Sequence, residues 1–519
     1  MTLGRNSAAR ALASLAAITL ASACLVACGT STPSAPTAAG SDLRIAIPTV
    51  APPYSGSSQA IDAMRITSNI FDPLIVRNQT TGKLTPGLAT AWKQVSPTVT
   101  DLTIRRGVTF QDGTPMTADD VAFTLSSQRL WGPKAIEPSA LASTFSGVVV
   151  KNADTVEITT AQPDPALLDR LASQIGFVVP KAYLEKVGLQ QFGVHPIGTG
   201  PYQSQSVQPG QEVVLTANKN YWGPKPTYQT LTFKQVSDVT ARISGLATGQ
   251  YDIATSIPPD QSQQVKSNGQ LLVSTPVNNV LQLAFMTNQL GKPTSDPKVR
   301  RAMLLAVDRQ GIAASLWNGQ ATVYDGFNLP AFDGFYNRAI PVAQQNLAEA
   351  KSLLASAGYH GQPIDLQYIG NYYPNLDQAL QVMLPMWKQA GLNVTLDPVA
   401  NYTLLNYKKL NAYATSSNLQ LGNDPTSPIY TDWLSSKATF VKSGRYVPSA
   451  AMSEAGTVLA TSTNQAERAK AFDTIARLWT TEVPSIDIWR PVEIDGVRDG
   501  VHFTPDPRYW MRFAPLPGS

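Results

Sequence analysis

Cysteine and histidine are scarce in this chain of 519 residues, which has two Cys and three His. So few thiols exclude a disulfide-rich scaffold, and thiolate metal sites need more ligands than this chain offers. Charged residues make up only 15% of the chain, and the formal net charge of +4 is not gathered into a long basic run. A nucleic-acid partner is therefore not expected.

The length argues against a single core, because cores stop growing near about 250 to 300 residues and longer chains divide into lobes. Hydrophobic residues make up 43% of the chain, which is typical of a globular protein and not of a disordered tail or an array of membrane spans. We therefore expect a soluble, globular protein of two or three lobes, and a monomer.

Common catalytic motifs are missing as well. The chain has no G-x-S-x-G, H-E-x-x-H, Walker A or paired C-x-x-C pattern. Its histidines, His195, His360 and His502, lie in unrelated contexts, whereas a triad or metal cluster needs partners that orient the imidazole. Gly198-Thr199-Gly200 begins like a dinucleotide fingerprint, but Gln203 stands where the next glycine belongs. The sequence thus predicts a protein that is not an enzyme and holds no metal or cofactor.

Residues 1–27 have the pattern of a secretory signal peptide. Two arginines precede an uncharged stretch of apolar and small residues, which is shorter than the about 20 residues that a spanning helix needs. The stretch ends in Leu25-Val26-Ala27-Cys28, which resembles a bacterial lipobox. Cys28 is therefore the predicted lipidation site and first mature residue. Cys24 is a weaker alternative, and an ordinary signal with an incidental cysteine is another.

A flexible tether is predicted for residues 28–41, because after Cys28 the segment GTSTPSAPTAAGS has no charge and no hydrophobic residue larger than Ala. It would span on the order of 20 Å. Removal of residues 1–27 takes away two Arg and no acid, which lowers the formal net charge from +4 to +2. We expect an exported protein, anchored to the cell membrane by its lipid and facing the periplasm or the cell exterior.

From Asp42 onward, strand-like and helical patterns alternate, which indicates an α/β fold. Thr117 and Asp120 form a capping pattern before a helix, and Asp296-Pro297 is the start signal of another. Charged residues beside an apolar helix face are usually solvated or paired at the surface. We apply this interpretation to Arg300, Asp308 and Arg309.

Several segments resemble the family 5 extracellular solute-binding proteins, the peptide and nickel receptors of ABC importers. Each segment alone is a weak match, but together they follow the family's order along nearly the whole mature chain. They are PGLATAW at 86–92, LTIRRGVTFQDGTPMTADDV at 102–121, GTGPY at 198–202, GLATGQYDI at 245–253, DPKVRRA at 296–302, AVDR at 306–309, AKSLL at 350–354 and AGY at 357–359.

The resemblance implies a two-lobed periplasmic-binding-protein fold of class II, type C, with an extra subdomain and a hinge between the lobes. By analogy the first lobe takes residues 42–56, 195–277 and 483–519, with 57–194 as its subdomain, and the second lobe takes 278–482. The implied partners are a small solute in the cleft and the permease and ATPase subunits of the importer. A cell-envelope lipoprotein hydrolase and a solute receptor for a signalling partner are the alternatives.

The solute is expected to contact polar and aromatic side chains on loops that converge on the cleft. We predict Tyr54 after the first strand, Asn278 and Asn279 at the crossing between lobes, and Gln420, Asn423 and Asp424 in a late Asp-Pro loop. Trp131 and Trp433 are weaker candidates for an aromatic wall. Surface turns favour Asn and Asp on backbone grounds alone, so a turn role is the alternative for these residues.

One position departs from the peptide-binding branch of the family, in which an Asp four residues before a Pro pairs with the peptide's amino group. The matching stretch is LGNDP at 421–425, and Leu421 stands at the Asp position. A buried ammonium without a carboxylate costs several kcal/mol, so an unmodified peptide in that pose is not favoured, unless Asp424 or Asp432 takes over. A modified peptide, an oligosaccharide, a chelated metal and another organic solute remain open.

Overall fold

The computed structural model describes residues 41–54, 61–78, 81–126, 145–277, 279–285, 291–332, 334–407, 409–418 and 423–516. The predicted signal peptide with Cys28, and the site candidates Trp131, Asn278 and Gln420, lie outside these residues. Both α-helices and β-strands form throughout, as the alternating sequence patterns predict.

The strands of the described residues are numbered in chain order. They are β1 Asp42–Ile47, β2 Ile75–Arg77, β3 Leu84–Pro86, β4 Ala89–Ser96, β5 Val99–Ile104, β6 Phe145–Asn152, β7 Thr155–Thr160, β8 Tyr202–Gln208, β9 Glu212–Ala217, β10 Thr230–Gln235, β11 Ile253–Ala254, β12 Leu271–Pro276, β13 Asn279–Phe285, β14 Pro363–Ile369, β15 Asn393–Val399, β16 Ala412–Asn418, β17 Ser485–Trp489, β18 Val492–Val497, β19 Thr504–Pro505 and β20 Met511–Arg512.

The α-helices of the same residues are numbered in the same way. They are α1 Ile61–Ile70, α2 Ala118–Ser126, α3 Leu167–Leu171, α4 Lys181–Val194, α5 Val239–Ala247, α6 Ser262–Ser267, α7 Pro297–Leu305, α8 Arg309–Leu316, α9 Leu347–Ser356, α10 Leu376–Ala390, α11 Thr439–Lys442, α12 Ala450–Thr461 and α13 Gln465–Glu482.

Helix starts follow their sequence signals. The Asp296 carboxylate accepts a hydrogen bond from the Lys298 N–H, and Pro297 takes the first helical position of α7. Before α2, the Asp120 carboxylate accepts hydrogen bonds from the backbone N–H and the hydroxyl of Thr117, at 2.9 and 2.7 Å. Both caps confirm the predictions made from the sequence.

The first lobe is built on a seven-stranded sheet with the order β12-β18-β11-β1-β10-β9-β8. Strand β1 pairs in parallel with β10 and β11, and the other pairs are antiparallel. One face packs against α1 and the C-terminal segment, and the other against α5 and α6. Side chains alternate between these faces along each strand, so the residues of β18 divide between two cores.

The second lobe is built on a five-stranded sheet with the order β15-β14-β16-β13-β17. Strand β13, which lies inside this sheet, has hydrophobic side chains on both faces. Leu281, Leu283 and Phe285 belong to one hydrophobic cluster, whereas Val280 and Ala284 belong to another. The second lobe therefore has a core on each side of its sheet.

A four-stranded antiparallel sheet with the order β4-β5-β7-β6 forms the subdomain, together with the β2-β3 hairpin. Its hydrophobic cluster runs from Leu74 to Val178. Helices α1 and α4, which the resemblance assigned to the subdomain, instead contribute Met64, Ile70 and Phe192 to the core of the first lobe. We therefore propose narrower bounds for the subdomain, from about residue 74 to about residue 178.

Two chain crossings connect the lobes. The first lies between β12, which ends at Pro276, and β13, which begins at Asn279. The second was expected at residue 483, but β17 pairs with β13 in the sheet of the second lobe. We therefore propose that the second lobe continues to Trp489 and that the chain crosses at residues 490 and 491.

Candidate functional site

The two crossings lie side by side and are joined by hydrogen bonds. The Arg490 guanidinium donates to the Val277 carbonyl at 2.9 Å, and the Val277 N–H donates to the Pro491 carbonyl at 3.3 Å. Arg490 also exchanges backbone hydrogen bonds with Thr322 of the second lobe. The segments that connect the lobes therefore form one double-stranded joint, and the predicted residue Asn279 begins β13 directly after it.

The late Asp-Pro loop reaches from the second lobe to the subdomain. The backbone N–H of Asp424 donates a 2.8 Å hydrogen bond to the carboxylate of Asp169 in α3. Asp169 in turn forms an ion pair with Arg77 of β2. Asp424 thus marks a place where the two sides of the molecule contact each other.

The side chain of Asp424 has its own partner. Both carboxylate oxygens accept from one nitrogen of Arg468, at 2.8 and 2.7 Å, and Arg468 is only 4% exposed. The same guanidinium donates to the Leu459 carbonyl and the Thr426 hydroxyl. These contacts hold the shape of the loop, and a direct contact of Asp424 or of the neighbouring Asn423 with a solute stays a prediction.

The described aromatic candidates lie inside the lobes. Tyr54 packs against Phe71 and Phe192 in the core of the first lobe, with ring centroids 5.3 and 5.2 Å apart. Its burial raises the pKa of the hydroxyl well above the ordinary value. Trp433 has no exposed surface, and its ring stacks on Phe440 at a centroid distance of 4.0 Å. In this conformation both rings support their cores, and the structure does not bring Tyr54 and Trp433 together.

A further polar site lies in the first lobe and was not predicted from the sequence. A small cavity, open to solvent and with room for about one water molecule, lies between β18 and the C-terminal segment. Its lining includes Arg65, Thr275, Glu493, Asp495, Tyr509 and Trp510. Thr275 and Glu493 each lie within a few residues of a crossing, so the cavity adjoins the joint between the lobes.

The strand β18 places two carboxylates on one face of the sheet. Glu493 and Asp495 are two residues apart, so their side chains point toward α1, whereas Gly496 faces Leu246 and Val265 on the opposite side. This spacing was visible in the sequence. The burial of the pair depends on the C-terminal segment that follows β18 and on α1, whose Arg65 is 428 positions from Glu493 in the chain.

Glu493 is held by several donors. Its Oε1 accepts from the Ser256 N–H and the Ser256 hydroxyl, at 2.9 and 2.8 Å, and forms an ion pair with Arg65. Arg65 also pairs with Asp62, one turn away in α1. Asp495 lies beside Glu493 and is hydrogen-bonded to it. Burial, and then the Glu493 carboxylate, raise the pKa of Asp495 well above 3.8, although Arg65 acts in the opposite direction.

Within the described residues, His, Cys, Asp and Glu do not gather into a group of three or more suited to a metal ion. In the same part of the chain, none of the helices combines the length and the apolar character that a membrane crossing requires.

Comparison with known proteins identifies the family and the fold of this chain. The family model for "Bacterial extracellular solute-binding proteins, family 5 Middle" matches residues 83–441. The periplasmic murein peptide-binding protein MppA of Escherichia coli K12 is 28% identical over 359 residues, which cover 64% of this chain and 66% of MppA. The chain therefore matches slightly less than two thirds of the length of this curated relative.

Two solved structures share the fold over almost their entire length. The ABC transporter substrate-binding protein CtaP of Listeria monocytogenes has a TM-score of 0.78 and 22% identity, with 91% of this chain and 98% of CtaP covered. NikA of Brucella suis, solved with Fe(III)-EDTA, has a TM-score of 0.78 and 20% identity, with the same coverage of 91% and 98%. The fold is thus the predicted α/β, two-lobed periplasmic-binding-protein fold with an extra subdomain. The chain belongs to the bacterial extracellular solute-binding proteins, family 5.

Proposed function

We propose that this protein is the substrate-binding lipoprotein of an ABC importer. In this role it captures a peptide-like or other small organic solute between its lobes and delivers it to the membrane permease. The observation that carries the proposal is the two-lobed architecture, in which adjacent crossings join the lobes and the Asp-Pro loop of the second lobe also meets the subdomain. No bond of the solute needs to be made or broken.

The proposed mechanism is a shift between open and closed populations. A solute that contacts both lobes only in the closed state stabilises that state by its difference in affinity for the two states. The hydrogen bond between Asp424 and Asp169 joins the second lobe to the subdomain, so it contributes to the state in which these parts meet. The importer would then recognise the closed surface.

The class of solute is a separate part of the proposal. MppA is a murein peptide-binding protein and is 28% identical to this chain over the aligned residues, which supports a peptide-like solute. Leu421 argues for a solute other than a plain peptide in the pose described for peptide receptors. A modified peptide or another organic molecule with polar groups satisfies both observations.

A thermal-shift screen of the purified protein, combined with mass spectrometry of small molecules that co-purify, tests the proposal. Peptides, modified peptides, oligosaccharides and metal chelates form the panel. A ligand whose free concentration is 100 times its dissociation constant stabilises the folded state by about 2.7 kcal/mol. We expect one small molecule to bind and to be recovered unchanged.

Catalytic conversion of the bound molecule would contradict the proposal and favour the hydrolase alternative. Neighbouring genes for a permease and an ATPase would support the importer. Neighbouring genes for a sensor kinase or chemoreceptor, without importer subunits, would instead favour the signalling alternative.

A further inference from the structure

Arg445 is a partly buried cation of the second lobe, in the turn that follows α11. Among the residues that the structure describes, its side chain forms one hydrogen bond, from Nη1 to the Tyr413 hydroxyl at 3.2 Å. The Nε atom is buried and has no acceptor there. None of the carboxylates in those ranges forms an ion pair with this guanidinium. An arginine keeps its charge in a protein, and a partly desolvated charge is costly without a counterion.

Aromatic rings fix the position of the guanidinium. Its Cζ atom lies 3.7 Å from the ring centroid of Tyr407, and 5.7 and 5.9 Å from those of Tyr413 and Phe440. Phe440 in turn stacks on the buried Trp433 at 4.0 Å, so the core of the second lobe supports this cluster. Contacts with ring faces hold a guanidinium without occupying the N–H groups in its plane, which are the groups that recognise a carboxylate. The cluster therefore presents a positioned donor that lacks an acceptor.

The cluster extends toward the edge of the second lobe that adjoins the joint between the lobes. Strands β14 and β16 are parallel, and β13 begins beside the end of β16. Tyr373 follows β14, and its hydroxyl donates to the Ser416 hydroxyl near the end of β16 at 3.3 Å. Burial raises the pKa of Tyr407, Arg445 opposes this effect, and the nearby Tyr373 hydroxyl raises the pKa further. Ligands of α/β sheets bind beyond the carboxyl ends of parallel strands, so the guanidinium lies next to the region where a solute is expected.

We infer that Arg445 binds a carboxylate of the captured solute, and that Tyr407 and Tyr413 hold the guanidinium in the position that this requires. The inference rests on the proposed function and adds one property of the solute, which carries at least one acidic group. The planar fork of a guanidinium matches a carboxylate in shape. One guanidinium balances one negative charge, whereas a phosphate monoester carries nearly two at neutral pH.

Sodium acetate is a suitable probe because it carries the carboxylate and little else. The Nε–H resonance of Arg445 reports on the guanidinium and is assigned by its absence from Arg445→Gln. We expect a saturable shift with a dissociation constant on the order of 1–100 mM. The backbone amides of residues 444–446 report on binding in the variants. In Arg445→Gln the affinity for acetate should fall by at least about tenfold, whereas Arg338→Gln removes an exposed arginine of the same lobe and should leave it unchanged.

Acetamide and sodium chloride at matched concentrations distinguish charge from shape and a carboxylate from an inorganic anion. An equal response to either one overturns the inference, as does an acetate response that is not saturable or that Arg445→Gln retains in full. If Arg445→Gln fails to fold, the unaltered protein provides the test through these three probes. No transported solute or importer enters the titration, so its failure leaves the proposed transport function standing.

The solute that the thermal-shift screen identifies provides a second test. We expect it to contain a carboxylate, and its dissociation constant should rise by at least about tenfold in Arg445→Gln but not in Arg338→Gln. A solute without an acidic group, or equal affinity in Arg445→Gln and the unaltered protein, overturns the inference about Arg445. Capture of that solute without conversion would still support the receptor, so the two proposals fail separately.

Discussion

The backbone N–H of Asp424 and the carboxylate of Asp169 are 2.8 Å apart, although 255 positions separate the two residues in the chain. This bond joins the second lobe to the subdomain. Because its donor is a backbone group, side-chain substitution at residue 424 does not remove it, whereas substitution of Asp169 does.

Asp169→Ala should weaken solute binding without a direct contact to the solute. The variant removes the hydrogen bond between the lobe and the subdomain and, within the subdomain, the ion pair with Arg77. Loss of the hydrogen bond disfavours the closed state by about 1–3 kcal/mol, and the affinity falls by the corresponding factor, whereas loss of the ion pair lowers the stability of the subdomain. Calorimetric titration with the identified solute measures this, and X-ray scattering reports the fraction closed. Asp101→Asn, at an exposed ion pair of the subdomain, is the control. An affinity equal to that of the unaltered protein would show that this bond does not contribute to closure.

Asp424→Ala and Asn279→Ala test the two predicted loops in different ways. Asp424→Ala leaves the buried Arg468 without its carboxylate, so the free energy of unfolding should fall by about 3–5 kcal/mol. Asn279→Ala should leave stability nearly unchanged and weaken solute binding by roughly 1–3 kcal/mol. Chemical denaturation and calorimetry separate the two effects. If both variants bind the solute as tightly as the unaltered protein, the candidate loops are wrong.

Asp487 should make stability depend on pH. Burial, and then the nearby Asp325 carboxylate, raise its pKa from 3.8 to about 7. The folded protein therefore binds more protons than the unfolded chain between these values, so the free energy of unfolding falls as the pH rises from about 4 to about 7. Above that range this contribution stays constant.

Asp487→Asn should remove this slope and raise the free energy of unfolding at pH 8 by on the order of 1–4 kcal/mol, with little effect at pH 4. Denaturation curves at a series of pH values measure it, with Asp260→Asn as an exposed control. Parallel profiles for Asp487→Asn and the unaltered protein would contradict the raised pKa.

The N-terminus of the mature protein should be Cys28 carrying a lipid. The uncharged run that ends in Leu25-Val26-Ala27-Cys28 motivates this prediction. Mass spectrometry of the N-terminal peptide from native membranes should show the added mass of the lipid on Cys28. Retention of residues 1–27, or an unmodified Cys28, would exclude it, and Cys28→Ser should release the protein from the membrane.

Plain dipeptides and tripeptides with a free N-terminus should bind weakly or not at all. Leu421 provides no carboxylate for their ammonium in the second lobe, and Glu493 and Asp495 belong to the first lobe. Calorimetric titration with a mixed set of such peptides checks this. Tight binding that Asp495→Asn abolishes would mean that the carboxylate of the first lobe has taken over, and tight binding that it leaves intact would mean that the alignment of residues 421–425 is wrong.

Local signals in the sequence predicted local structure well. The caps at Asp296 and Asp120 involve residues two or three positions apart. The prediction that Arg300 and Arg309 are surface residues was wrong, because both are at least 95% buried. Arg300 donates to the carbonyls of Glu482 and Val483, and Arg309 to that of Asp487. These acceptors lie almost 200 residues away, where no helical periodicity reveals them.

Partners that are distant in the sequence also explain why the surroundings of the candidate residues could not be predicted. The alternation of Glu493 and Asp495 predicts that they share a face, but their burial depends on α1 and on the C-terminal segment together. Tyr54 was chosen from its loop, and the side chains that surround it, Phe71 and Phe192, come from two other parts of the chain. Sequence reasoning therefore did not find the partners of these side chains, and contact of the candidate loops with a solute stays a prediction.

The bonds between the two crossings determine which motions the lobes can make. A single strand would let one lobe twist and swing about the other in any direction. Two strands held together through Arg490, Val277 and Pro491 bend as one strip, so the lobes rotate about a single axis that lies across the strip. In the proposed function, every solute would then be enclosed along the same path, and discrimination between solutes would come from the shape and charge of the walls that meet at its end.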